Sequence, residues 1–158
     1  MKTAVFPGSF DPITLGHVSL AQKALAIFDE LVILVGNNPD KRYEFTPEQR
    51  LSMARETFEN NPKVRVEMCD TFVVEYMKAH DLTHLAKGVR DARDFSYEAD
   101  LARCNQLLNP DCETVLLLPD VQYASVSSTF VREVIRYGGD LTAYAPEPVI
   151  RLIKHINQ

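Results

Sequence analysis

Ser9, Thr14 and His17 fall close together near the start of the chain, in Pro7-Gly8-Ser9-Phe10-Asp11-Pro12-Ile13-Thr14-Leu15-Gly16-His17. Two hydroxyls and an imidazole in this order are hydrogen-bonding groups for phosphate oxygens. Thr14 is expected to be a helix N-cap, which puts His17 in the first helical turn. Free backbone N–H groups and partial positive charge gather there, and phosphate binds such places. Gly8 and Gly16 carry no Cβ and would let the backbone approach a ligand closely. Far along the chain, Ser127-Ser128-Thr129 offers hydroxyls and amides at another helix start, with Arg132 one turn on. Lys41, Lys87 and Arg90 add full positive charge. This collection suits a polyphosphate, and direct phosphoryl or nucleotidyl transfer, where catalysis is mainly positioning and stabilisation of charge at the transferring phosphorus. Each cluster also has a blander reading: His17 as a simple cap, Ser-Ser-Thr as an N-cap, Lys41-Arg42 as a solvated loop.

The elements that must hold these groups follow from apolar periodicity. Ala4 to Gly8 reads as a buried strand and leads through the Pro- and Gly-punctuated turn into a helix running to about Phe28, with Ala21, Ala24, Leu25 and Phe28 on one face. Leu31 to Val35 is an apolar, β-branched run suited to a strand buried on both faces. Thr46-Pro47-Glu48-Gln49 announces a helix, with Thr46 as N-cap, Pro at the first position and Gln three residues beyond the cap. Strands are expected at Val64–Met68, around His84–Ala86 and at Val115–Leu118, and helices at Val73–Ala79, Ser96–Leu108, after Ser127 and after Pro146. Strands alternating with helices argue for a single α/β, Rossmann-like doubly wound domain over residues 1–158, with about five parallel strands, helices on both faces and right-handed crossovers. Ligands then bind beyond the carboxyl ends of the strands, near the reversal of strand order. The polar stretches Gly8–His17, Asn37–Arg42, Thr71, Lys87–Arg90 and Tyr123–Thr129 each follow a predicted strand, so they are expected to converge on one edge.

Composition narrows the class. The chain has 158 residues, 46% hydrophobic and 25% charged, which is enough for a substantial core. Its formal net charge of −5 argues against broad nucleic-acid binding. No apolar run is long enough for a membrane span, and MKTAVFPGSFDP lacks the apolar stretch of a secretory signal. Cys69, Cys104 and Cys112 lack metal-ligand spacing, sit away from any obvious base, and read as reduced thiols of a cytosolic protein. Neither G-x-G-x-x-G nor G-x-x-x-x-G-K-[ST] occurs, which excludes the dinucleotide fingerprint and the P-loop.

Thr14-x-Gly16-His17 resembles the T/H-x-G-H signature of the nucleotidylyltransferase superfamily. With the Pro7–Pro12 lead-in, Phe45-Thr46-x-Glu48, Gly88-x-Arg90, Asp94-Phe95-x-Tyr97-Glu98 and Val126-Ser127-Ser128-Thr129, nearly the whole chain is similar to the bacterial phosphopantetheine adenylyltransferases. The resemblance implies ATP and 4′-phosphopantetheine as substrates, dephospho-CoA and pyrophosphate as products, and Mg²⁺ carried by ATP with no metal ligand from protein side chains. It assigns catalysis to His17, Lys41 and Ser9. Ser9, Phe10, His17, Gly88, Val89, Arg90, Glu98 and the segment Tyr123, Ala124, Ser125, Val126, Ser127, Ser128, Thr129 would hold ATP. Ser9, Lys41, Thr71, Phe72, Val73, Lys87, Leu101, Asn105 and Glu133 would hold phosphopantetheine. It further implies a cytoplasmic homo-hexamer with coenzyme A as feedback inhibitor, and no nucleic-acid or membrane partner.

Two positions depart from that pattern. Lys87 stands where the family usually has Arg, which keeps the charge but loses the planar fork for phosphate. Ser9 stands where Thr is common, and the hydroxyl survives. Two alternatives remain open on sequence grounds, and a third is set aside. One is the same chemistry on another acceptor, nicotinamide mononucleotide or, for a cytidylyltransferase, glycerol phosphate. Another is a silent nucleotide-binding module. A synthetase-type adenylating domain would need a much longer chain.

Overall fold

Side chains alternate sides along a strand. Ala4, Phe6, Leu31, Ile33, Val35 and Ala86 therefore point to one face of a sheet, and Val5, Val32, Leu34 and Leu85 to the other. The computed structural model describes residues 1–158 and arranges β1 (Thr3–Gly8), β2 (Glu30–Gly36), β3 (Val64–Cys69), β4 (His84–Gly88) and β5 (Glu113–Leu117) in one parallel sheet of order β3-β2-β1-β4-β5. The first face is covered by α1 (Leu15–Leu25), α2 (Pro47–Phe58), α5 (Ser128–Arg136) and α6 (Glu147–Ile156), through Ala21, Ala24, Met53, Ala54, Phe58, Val131 and Val149. On the second face α3 (Val73–Ala79) packs Val74, Tyr76 and Met77 beside the buried Cys69 and Cys112. The sheet of five parallel strands and the helices on both faces match the fold class expected above.

The crevice has a cause in the strand pairing. β1 pairs with β2 along its whole length, from Thr3↔Glu30 to Gly8↔Val35, but with β4 only at Ala4↔His84 and Val5↔Leu85. β4 meanwhile stays with β5 as far as Gly88↔Leu117. Beyond Val5 the two central strands part, and Pro7 brings no amide hydrogen that could close the ladder. This parting lies where strand order reverses, the place at which open α/β sheets bind ligands.

Some boundaries differ from expectation. α1 stops at Leu25, short of Phe28, although Phe28 still fills the core from the following turn. α4 (Ala92–Leu108) begins a full turn before Ser96, because the Asp91 carboxylate accepts the Asp94 N–H (2.9 Å) and turns the charged stretch into the first helical turn. β5 ends at Leu117, leaving Leu118 outside the sheet and exposed.

Candidate active site

Thr14 and His17 cap α1 reciprocally. Thr14 Oγ1 accepts the His17 N–H (3.3 Å), and His17 Nδ1 accepts the Thr14 N–H (3.0 Å). An Nδ1 that accepts cannot carry the proton of a neutral ring, so Nε2 carries it and is the ring's donor. Burial, then the nearby Arg90 charge, lower the His17 pKa from 6.5 to about 4. At neutral pH the ring is thus an uncharged Nε2–H donor. The cap uses Nδ1 and leaves the Nε2–H uncommitted.

The ring is held from behind by Phe10, whose centroid lies 4.9 Å away, edge-on. Phe10 is buried and sits at φ 47°, in the left-handed region that a side chain with a Cβ seldom adopts. Its ring is therefore packing, and only its backbone can meet a nucleotide. Gly16 is likewise not open to a ligand on its Cβ side, because a Cβ there would stand 2.9 Å from the Val126 carbonyl. Its missing side chain makes room for the Tyr123–Thr129 loop. Ser128 Oγ also ties that loop down, donating to the Pro12 carbonyl (2.8 Å), and Arg132 Nη1 donates to the Asp11 carbonyl (2.7 Å). Two helix starts, those of α1 and α5, are thereby fixed beside each other.

Two cavities adjoin at the parted strands. The smaller, about 340 Å³, is lined by His17, Gly88, Val89, Arg90, Glu98, Tyr123, Val126, Ser127 and Ser128 among others. The larger, about 800 Å³, is lined by Ser9, Lys41, Thr71, Phe72, Val73, Lys87, Leu101 and Asn105, with Cys69 in its wall. Pro7, Lys87, Tyr97 and Glu98 face both. Of the residues singled out by sequence, Ala124 and Ser125, in the loop before α5, and Thr129, in its first turn, do not line the smaller cavity. Glu133 stands apart: on α5 it pairs with Arg136 (2.7 Å) and lines neither space.

Charge is arranged along this boundary. Lys41 Nζ donates to Ser9 Oγ (2.8 Å), which places an ammonium against the end of β1. Lys87 pairs with Glu98 (3.3 Å), both mostly shielded, and Arg90 pairs with Asp94 (3.1 Å). Cys69 Sγ donates to the Thr71 carbonyl (3.2 Å), so its thiol serves the wall of the cavity rather than facing a base.

Comparison with known proteins supplies the lineage. A family described as cytidylyltransferase-like matches residues 5–134. The phosphopantetheine adenylyltransferase of Thermotoga neapolitana is 42% identical over 150 residues, spanning 95% of this chain and 93% of the relative. That of Herpetosiphon aurantiacus is 42% identical over 158 residues, spanning 100% of this chain and 96% of the relative. The protein of the same name from Cupriavidus taiwanensis is 41% identical over 154 residues, spanning 98% and 96%. The chain belongs to the phosphopantetheine adenylyltransferase family.

Some residues of this site escaped sequence reading. Asp11, buried beneath it, accepts the Glu44 and Phe45 N–H groups (2.9 Å each) and so anchors the far end of the loop that carries Lys41. Tyr43 receives the Asn38 N–H (2.9 Å) and folds the loop back on itself. Arg50 is fully buried behind Ser9. Arg50 did leave a signal: with Met53, Ala54 and Phe58 it lies on the buried stripe of α2, where an unaccompanied charge is out of place.

Proposed function

We propose that the protein transfers the adenylyl group of ATP to 4′-phosphopantetheine, reversibly, giving dephospho-CoA and pyrophosphate. The observation that carries this reading is the pair of adjoining cavities at the parted strands, in a chain of this family. ATP would occupy the smaller and the acceptor the larger, so both substrates can be held at once. An acceptor phosphate oxygen attacks the α-phosphorus. The bond from that phosphorus to the bridging oxygen breaks, and its electron pair leaves with pyrophosphate. His17 donates from Nε2–H to the α-phosphate as charge builds there, and the fixed, uncharged donor suits a shielded site. Ser9 and Lys41 hold the acceptor phosphate against the end of β1, with Lys87 across from them. Gly88, Val89, Arg90, Glu98 and the Tyr123–Thr129 loop hold the nucleotide. Thr71, Phe72, Val73, Leu101 and Asn105 take the pantetheine arm.

Mg²⁺ would enter with ATP. No three His, Cys, Asp or Glu side chains are grouped to cage a metal, and Mg²⁺ commonly keeps phosphate oxygens and water as ligands. Bound there it would neutralise charge on the triphosphate. Coenzyme A carries the same pantetheine arm and is proposed as a feedback inhibitor competing for the larger cavity. A homo-hexamer is proposed as the assembly, supported by the apolar side chains that α4 leaves outside. No helix is long and apolar enough to cross a membrane, and a cytoplasmic site of action is proposed.

The test is pyrophosphate release from ATP with Mg²⁺, comparing 4′-phosphopantetheine, nicotinamide mononucleotide and no acceptor, with products identified by mass. Release that depends on phosphopantetheine, forms dephospho-CoA and stops on chelation with EDTA is expected. Release with nicotinamide mononucleotide alone would overturn the acceptor, and silence with both would overturn the transferase reading.

A further inference from the structure

A guanidinium cannot lose its proton at any pH a protein meets, so a buried Arg is a buried charge. Arg50 is 0% exposed and has no carboxylate partner. Its Nη1 donates to two main-chain carbonyls, those of Ser9 and Gly36, each at 2.7 Å. Nη2 reaches Asn37 Oδ1 only at 3.4 Å, and Nε is buried with no partner at all. The ring of Tyr43 lies against the guanidinium, 3.8 Å to the centroid. Carbonyl dipoles and an aromatic face soften the cost of this charge but do not neutralise it. Nothing in α2 itself needs such a residue, for a Met or Leu would fill the stripe shared with Met53 and Ala54.

The two carbonyls it joins belong to the ends of β1 and β2, where the loops bearing Ser9 and Asn37 begin. In front of them the Ser9 hydroxyl meets Lys41. Arg50 therefore holds Ser9 by its carbonyl while Lys41 meets the same residue at its hydroxyl. We propose that Arg50 is a positioning residue for the acceptor: it clamps the ends of β1 and β2 so that Ser9 and Lys41 face one phosphate group. In addition, its unpaired buried charge makes that phosphate its missing counter-ion. The inference rests on the acceptor site proposed above. It differs from a packing role in one respect, since packing would be indifferent to whether an anion is present.

Two variants and two readouts test it. Arg50→Met removes both clamp and charge, whereas Arg50→Lys keeps a charge on a shorter side chain, whose ammonium falls one bond short of the place Nη1 holds between the two carbonyls. In steady-state pyrophosphate release, Arg50→Lys is expected to raise the KM for phosphopantetheine about tenfold, the scale of one charge-assisted hydrogen bond, with the KM for ATP within about twofold of wild type. In thermal unfolding, inorganic phosphate should raise the midpoint of the wild-type protein. It should raise that of Arg50→Met much less, and that of Arg50→Lys to an intermediate degree. Should Arg50→Met fail to fold, the Arg50→Lys values decide. A wild-type KM for phosphopantetheine in Arg50→Lys, or an undiminished phosphate response in the variants, would overturn the proposal and leave Arg50 a packing residue. If instead the wild type shows no phosphopantetheine-dependent release, the functional reading fails. The phosphate response still judges the clamp and its charge.

Discussion

The Thr14 amide occupies Nδ1 of His17, and burial with the Arg90 charge keeps the ring neutral. In the role proposed for this ring the donor is Nε2–H, and its tautomer is set before any substrate arrives. Replacing His17 by Ala removes one transition-state donor, and kcat should fall about 10²–10³-fold with KM values little changed. Turnover close to wild type would remove His17 from the chemistry. The same ring makes a pH prediction. Its pKa is about 4 when folded against 6.5 ordinarily, so as pH falls the unfolded chain takes up the proton first. The stability that comes from keeping the ring neutral is complete above pH 6.5 and is lost as pH falls toward 4. Between pH 7 and 5, the thermal midpoint of the ligand-free wild type should therefore decline more steeply than that of His17→Gln. Parallel declines would mean that the folded ring protonates as readily as the free one.

Among elements, the start of α1 and the end of β4 matter most. Thr14 Oγ1 satisfies the His17 N–H of an otherwise open first turn. Thr14→Ala should cost about 1 kcal/mol of stability, read by denaturant unfolding, and Thr14→Ser should recover most of it. At the end of β4, Lys87 leans on Glu98 of α4 across the boundary of the two cavities. A Lys ammonium is a single point charge and here is shared with a carboxylate, whereas an Arg fork could serve the carboxylate and a phosphate together. Lys87→Arg should lower the KM for phosphopantetheine by about threefold to tenfold. An unchanged KM would mean that Lys87 does not limit acceptor binding.

For the whole molecule, α4 is the telling element. It runs from Ala92 to Leu108 with no buried residue, and Phe95, Leu107 and Leu108 are 55%, 85% and 53% exposed. Leu118, just past β5, is 64% exposed. An isolated soluble chain rarely leaves so much apolar surface along one helix and the neighbouring strand end. Assembly of like chains would cover it. Light scattering is expected to give a mass near six chains of 17.9 kDa, and a single-chain mass would refute the proposed hexamer.

Much of this was legible in the sequence because it depends on local pattern. An apolar, β-branched run of only five residues such as Leu31–Val35 is too short for a buried helix and suits a strand buried on both faces. Thr14 and Thr46 announce helices by capping chemistry, and alternating elements imply a parallel sheet whose polar loops share one edge. The first turn of α4 was missed because its cap, Asp91, sits in a charged stretch that looks like loop. Only the tertiary structure decided the rest. That β1 leaves β4 after Val5 and opens a crevice depends on pairing between strands far apart in the chain. The charge of Arg50 looks like an ordinary surface feature until α2 packs it beneath Ser9. The tautomer of His17 follows from one hydrogen bond, and its low pKa from burial, and burial is a property of the fold.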